Sequence, residues 1–167
     1  MTQHDEQQKP QSVTLTGSVR RRLYVGVPAE ELWPWLVEPE LTERYHLAPL
    51  LLPLQAVGDP VQYVSKLGGT PVVEGTVQEL VPGRRLVHSF AYAAAENALL
   101  EPDPPSRVEL ELVRCGDRMC CLELTHSRFH PASSAYNALE ASWDVILSSL
   151  KTWVETGGPL PWPSRGR

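Results

Sequence analysis

Only three cysteines occur in the 167 residues, crowded together as Cys115, Cys120 and Cys121. An odd, clustered set of this kind builds no disulfide framework and points to a reducing, cytoplasmic setting. Basic charge is also short, because 15 Lys and Arg against 20 Asp and Glu leave a net charge of −5. That balance lacks the positive footprint of a phosphate-backbone binder, so nucleic acid is not an expected partner. No stretch approaches the roughly 20 apolar residues of a membrane-spanning helix, so no membrane insertion is expected. The longest apolar stretch, Leu47 to Val57, is broken by Pro49 and Pro53. The first twelve residues are polar and show no signal-peptide pattern. A phosphate-cradling glycine loop, a G-x-S-x-G elbow and an internal repeat are all missing, which leaves nucleotide chemistry and serine hydrolysis without support.

What is present is the composition of a globular protein, 42% hydrophobic and 21% charged, in a length that buries one domain's core. Sixteen prolines outnumber eleven glycines and act as punctuation. Residues 1–12 and 157–167 lack periodicity and are expected to be mobile tails around a single domain at 13–156.

Val19 to Val27 alternates in the period-two manner of a half-buried strand, and Pro28 ends it. Leu32, Trp33, Leu36 and Val37 follow at helical spacing, with Pro34 expected near the helix start, and a second short helix runs from Glu40 to Tyr45. Strands are expected at Val61–Leu67, Val72–Leu80, Arg85–Tyr92, Arg107–Arg114 and Met119–Thr125. Pairing Leu80 with Arg85 sets Val77 opposite His88 and Glu79 opposite Leu86. The apolar faces of the last two strands coincide if Leu112 pairs with Leu122, which sets Glu111 against Glu123. A long amphipathic helix closes the chain from Ser134 to Thr156, with Gly157 as its cap.

This order implies an α+β fold: a curved antiparallel sheet of about six strands, two short helices, and one long C-terminal helix enclosing a cavity. Four stretches carry a family resemblance: VPAEELWPWLVEPE (27–40), GTVQELVPGRRLVHSF (75–90), VELELVRCGDRMCCLELTHSRF (108–129) and SWDVILSSLKTWVETG (142–157). In this order they resemble the START-like or polyketide-cyclase-like superfamily, with the helix-grip fold of the birch pollen allergens. Within it they are most similar to homologues of the C-terminal domain of the heat-shock protein 90 ATPase activator. That group usually carries a tryptophan soon after the second helix, where this chain has Tyr45-His46.

In a helix-grip fold the ligand lies between the sheet and the last helix. The inward-facing candidates are Arg21, Tyr63, Val77, Glu79, His88, Phe90, Tyr92, Leu110, Leu122, Leu124 and His126, roofed by Tyr136, Leu139 and Trp143. Glu79 lies diagonal to His88, a spacing at which a carboxylate could orient an imidazole, yet no nucleophile accompanies the pair and no catalytic residue is assigned. Arg21 interrupts an apolar face and needs a carboxylate, water or an anionic ligand. The cysteines and the His126/His130 step do not supply a closed ligand set, so neither metal nor cofactor is expected. Contiguous Leu50, Leu51 and Leu52 on a connection read as a lid or partner contact.

The expected function is non-catalytic binding of a small hydrophobic or amphipathic molecule. A co-chaperone-like interaction module, with a chaperone or a second copy as partner, and a cavity enzyme of aromatase or cyclase type are the alternatives.

Overall fold

The alternating segments fold as strands of one sheet in the computed structural model, which describes residues 17–93, 104–129 and 135–161, without the side chains of 135–137. In chain order the elements are β1 (Gly17–Val25), α1 (Ala29–Val37), α2 (Pro39–Tyr45), β2 (Pro60–Val64), β3 (Pro71–Val81), β4 (Arg85–Tyr92), β5 (Ser106–Arg114), β6 (Cys120–Phe129) and α3 (Ala135–Thr156). The sheet order is β1-β6-β5-β4-β3-β2, and every neighbouring pair is antiparallel. Helix α3 covers one face, burying Leu139, Trp143, Ile146, Leu147 and Leu150 against the strands. This is the α+β helix-grip architecture. Of the expected tails, residues 1–12 and 162–167 lie outside the described residues. At the start of the second tail, Gly157 takes φ +74° and its N–H caps α3 on the Trp153 carbonyl at 2.9 Å.

Pro34 lies at the sixth position of α1, later than the first turn the sequence suggested. The helix runs through it because Leu32, Leu36 and Val37 are buried on the same side, offsetting the lost N–H bond. Leu112 pairs with Leu122, and the resulting Glu111–Glu123 opposition is relieved from both flanks. Arg85 reaches Glu111 at 3.2 Å and Arg22 reaches Glu123 at 2.7 Å, so each carboxylate faces a guanidinium.

Two bulges change which side chains face inward. Val77 still pairs with His88, but Glu79 pairs with Val87 and Val81 with Arg85, leaving Gln78 as the extra residue. One inserted residue reverses the alternation, so Leu80 joins the inner face and Glu79 turns outward. In β6, Arg128 adopts φ +65° where the β1 register shifts, and the reversed alternation brings Phe129 into the core.

The Leu50–Leu52 segment runs along the free edge of β2. Val64 N–H bonds the Pro49 carbonyl at 2.9 Å, Leu51 N–H bonds the Gln62 carbonyl at 2.9 Å, and Leu50 bridges to Tyr63. The segment therefore covers an edge that would otherwise offer unpaired backbone groups. Leu50 is 3% exposed and belongs to the core, whereas Leu51 and Leu52 are 49% and 50% exposed. The three do not act as one unit. Leu50→Ser is expected to cost ~3–5 kcal/mol through lost burial and a buried hydroxyl. Leu51→Ser and Leu52→Ser are expected to stay within ~0.5 kcal/mol. Urea denaturation of the three variants checks this, and equal losses would contradict the placement.

Candidate functional site

Five strands contribute one continuous row to the inner face. Val77, His88, Val108, His126 and Val19 stand opposite one another in turn. Two imidazoles are thus fixed in an apolar row, with the sheet below and α3 above.

His126 is fully buried, and its hydrogen bonds define its tautomer. The Trp143 indole N–H, which can only donate, meets Nδ1 at 3.0 Å, so the ring proton resides on Nε2. Nε2–H then donates to Ser106 Oγ at 2.7 Å, and the hydroxyl donates to the Phe90 carbonyl at 3.1 Å. A Ser–His pair in this arrangement cannot work as nucleophile and base, because the nitrogen facing the hydroxyl already carries the proton. The chain of bonds is a satisfied structural network that ties α3 to β4, β5 and β6.

His88 is arranged in the opposite sense. Its Nδ1–H donates to the Ser89 carbonyl at 2.8 Å, which leaves Nε2 as a bare acceptor. Nε2 is buried and has no hydrogen-bond partner among the described residues. The Tyr63 ring lies 6.2 Å from the His88 ring and stacks on His46 at 4.7 Å. His46 meets Trp143 edge-on at 6.2 Å and accepts the Ala48 N–H on Nδ1 at 3.2 Å.

Tyr45, His46, Tyr63 and Trp143 line a small interior space together with aliphatic residues of α1, β5, β6 and α3. The volume open to the centre of a water is ≈ 10 Å³, about the minimum for one water molecule. Among the described residues the interior is therefore well packed, and the spacious cavity expected from one helix over a curved sheet is nearly filled by these aromatic rings. A roomier depression of ≈ 340 Å³ lies on the surface near Glu30, Arg84 and Arg114. Arg114 and Glu30 pair there at 2.7 Å, and the depression is open to solvent, so the interior is the better candidate.

Val77, Phe90, Leu110, Leu122, Leu124, Leu139 and Trp143 are buried with the two histidines, and Tyr92 packs edge-on against Phe90 at 5.5 Å. Tyr136 lies on the first turn of α3, but its side chain is outside the described residues. Glu79 is not with this group. The bulge at Gln78 places it on the outer face, where it pairs with Arg85 at 3.0 Å, so no Glu79–His88 pair exists. Arg21 points toward α3, and its guanidinium is held by Asp144 and by Glu140 at 3.1 Å. Its charge is answered within the protein. Cys120 and Cys121 are buried on opposite faces of β6, Cys115 is partly exposed, and among the described residues no cluster of three or more His, Cys, Asp or Glu could hold a metal.

Ser106 and Phe129 are not marked out by the sequence, and Tyr45 and His46 stand out in it only as the pair that replaces the tryptophan usual after the second helix, not as lining residues. Ser106 opens β5, and the alternation through Val108 and Leu110 could have placed it inward. The other three depend on a loop path and a bulge.

Burial lowers the pKa of all three histidines, to about 4 for His46, about 4 for His88 and about 3 for His126. The Ser89 backbone bond opposes the shift at His88, and Lys66 and His88 add to it at His46, as His88 does at His126. The unfolded chain, with ordinary histidines near pH 6.5, binds more protons than the native state between about pH 6.5 and 4. Stability consequently rises with pH across that window and is fully present above it, each histidine contributing up to about 1.4 kcal/mol per pH unit. The urea midpoint is expected to fall clearly from pH 7.5 to pH 5. A midpoint constant over that range would contradict the buried, neutral assignment.

A profile of the family described as "Activator of Hsp90 ATPase homolog 1-like protein" matches residues 26–155. No curated protein matches the chain. Among solved structures, DynU16 of the dynemicin biosynthetic locus aligns with a TM-score of 0.66 and 21% identity over 85% of this chain. The chain spans about half of DynU16, 48% of its length. The Aha1 dimer from Colwellia psychrerythraea aligns at 0.63 with 17% identity, covering 84% of this chain and 98% of that one. An HSP90 activator from Plasmodium falciparum aligns at 0.63 with 19% identity, covering 81% and 94%. At these identities the likeness establishes the fold.

Proposed function

We propose, from the fact that this chain belongs to the Activator of Hsp90 ATPase homolog 1-like family, that it binds a small apolar or amphipathic molecule, without catalysis, between the sheet and α3. The observation that carries the reading is the interior space walled by Tyr45, His46, Tyr63 and Trp143, with apolar residues of α1, the sheet and α3 completing its lining. A ligand larger than water needs the Tyr63, His46 and Trp143 walls to move apart. Catalysis is disfavoured because the His126 proton faces Ser106 and Glu79 lies on the other side of the sheet. The three free thiols favour a reducing, cytoplasmic setting, and no helix among the described residues is long and apolar enough to cross a membrane.

Native mass spectrometry of the full chain as purified tests the proposal. A bound mass that is lost on denaturation supports it. A bare protein whose melting temperature is unmoved by apolar aromatic probes overturns it.

A co-chaperone-like role is the second reading, favoured by the exposed Leu47, Leu51 and Leu52 and by relatives described as an HSP90 activator and an Aha1 dimer. Stimulation of a purified Hsp90 ATPase by this chain, lost when Leu51 and Leu52 become serine, would establish that role in place of the first.

A further inference from the structure

Tyr45 and His46, at the end of α2, wall the interior space from one side, and two cations stand beside them. Arg44 is exposed, and its guanidinium lies over the Trp35 ring at 5.9 Å and over the Trp153 ring at 6.0 Å. Ring contacts of this kind hold a guanidinium in place and leave its N–H donors unspent. Among the described residues the Arg44 side chain has no carboxylate partner and no hydrogen-bond acceptor. Arg21, Arg22, Arg85, Arg107 and Arg114, by contrast, each meet a carboxylate. Lys66, from the turn between β2 and β3, donates to the Glu43 carbonyl at 2.7 Å and also lacks a carboxylate among the described residues. Glu40 and Glu43, the carboxylates of α2, pair with neither cation.

The Trp35–Arg44–Trp153 stack lies on the outer side of the wall that closes the interior space. Leu36, Tyr45 and Leu150 line that space from α1, α2 and α3. Trp35 and Arg44 directly precede the first two in the chain, and Trp153 follows the third by one helical turn. The Tyr45 ring is 6.2 Å from the Trp35 ring, and its hydroxyl donates to the Trp35 carbonyl at 2.9 Å. The three helices that wall the space thus present Arg44 just outside it. Donors are in excess at this junction, since Trp153 Nε1–H is buried with no partner among the described residues. No cationic side chain is among those lining the space itself. An anion carried fully inward would give up its hydration without meeting a positive partner, whereas one left at the outer end meets Arg44.

We infer that the ligand of the interior is a monocarboxylate with a flat apolar body, the body lying in the aromatic-walled space and the carboxylate outside it, on the guanidinium of Arg44. The inference rests on the interior-binding function proposed above and adds to it a head group and the residue that reads it. A planar guanidinium meets a carboxylate through two parallel N–H bonds, and the two indoles that hold Arg44 in place reduce the ordering cost of forming them. Lys66 adds a second positive charge at the same helix end. A neutral ligand leaves Arg44 unanswered, and a cationic one is repelled by it.

Three probes of nearly equal size separate these features on the full chain at pH 7.5 by isothermal titration calorimetry. 2-Naphthoate carries a negative charge, 2-naphthol is neutral, and 2-naphthylmethylammonium carries a positive charge. 2-Naphthoate is expected to bind about tenfold more tightly than 2-naphthol, the yield of one charge-assisted hydrogen-bonded pair, and the ammonium more weakly than either. Arg44→Gln, at an exposed position, is expected to remove the advantage of 2-naphthoate while leaving the 2-naphthol affinity nearly unchanged. Nuclear magnetic resonance adds the placement. With 2-naphthoate the Arg44 Nε–H and the Trp143 indole are expected to shift together along one saturation curve. Acetate, which has the charge without the body, is expected to shift neither at the concentration that saturates 2-naphthoate. Equal affinities for 2-naphthoate and 2-naphthol, an advantage that survives Arg44→Gln, or an Arg44 shift produced equally by acetate would each overturn the role of Arg44 while leaving interior binding standing. Failure of all three naphthalene probes to bind would overturn both.

Discussion

Trp143→Ala is expected to destabilise the protein by ~3–5 kcal/mol, the range for removing a buried tryptophan. The side chain is 6% exposed and sits at the centre of the α3 face that covers the sheet. Its loss also withdraws the donor from His126 Nδ1, leaving a fully buried ring with an unpaired acceptor. Trp143→Phe separates the two effects. It keeps most of the apolar volume and removes the N–H, so its expected cost is the smaller ~1–3 kcal/mol of an orphaned polar group. Urea denaturation at pH 7.5 measures both. A Trp143→Ala loss below ~1 kcal/mol would mean that α3 does not cover the sheet through this residue.

Gly75→Ala is expected to be at least as damaging for a reason that involves no lost contact. A Cβ at Gly75 would lie 1.9 Å from the Ser89 carbonyl oxygen and 2.7 Å from its carbon. Backbone atoms of the adjacent strand cannot swing aside as a flexible side chain can. The same carbonyl receives the His88 Nδ1–H, and Ser89 Oγ receives the Thr76 N–H at 2.9 Å, so a shift of β4 breaks further bonds. The expected loss is ~3 kcal/mol or more, at or beyond the upper end of ordinary core overpacking. Gly158→Ala is the control, since a Cβ there meets nothing within 4 Å, and it is expected to fall within ~0.5 kcal/mol. Similar midpoints for the two variants would contradict the close approach of β3 and β4.

The elements that were legible in the sequence are those with strong, uninterrupted periodicity. Leu112 opposite Leu122 follows from matching two apolar faces, and the uncomfortable Glu111–Glu123 opposition proved tolerable because arginines from β1 and β4 stand beside it. Sequence alternation assigned Glu79 to the inside because it carries no mark for a bulge. Gln78 has nothing in its side chain to announce an extra residue, and the reversal arises from how β3 meets the β4 turn. Leu50 and its neighbours illustrate the same limit in a loop. Three identical residues have different fates because backbone bonds to β2 aim only the first into the core. The inward positions of His88 and His126 were readable from alternation, but their opposite proton placements were not. Those depend on whether the partner at Nδ1 is an indole N–H or a carbonyl oxygen, which only the folded arrangement supplies.

The claim that the interior, and not the leucine-rich surface, is where this protein meets its ligand is tested most directly by nuclear magnetic resonance on the labelled full chain titrated with 2-naphthol. The account predicts that the Trp143 indole, the Tyr63 ring and the His46 ring, which line the space, shift together and saturably, with magnetisation transfer from the probe to those side chains. Shifts confined to Leu47, Leu51 and Leu52, or none at saturating probe, would contradict it.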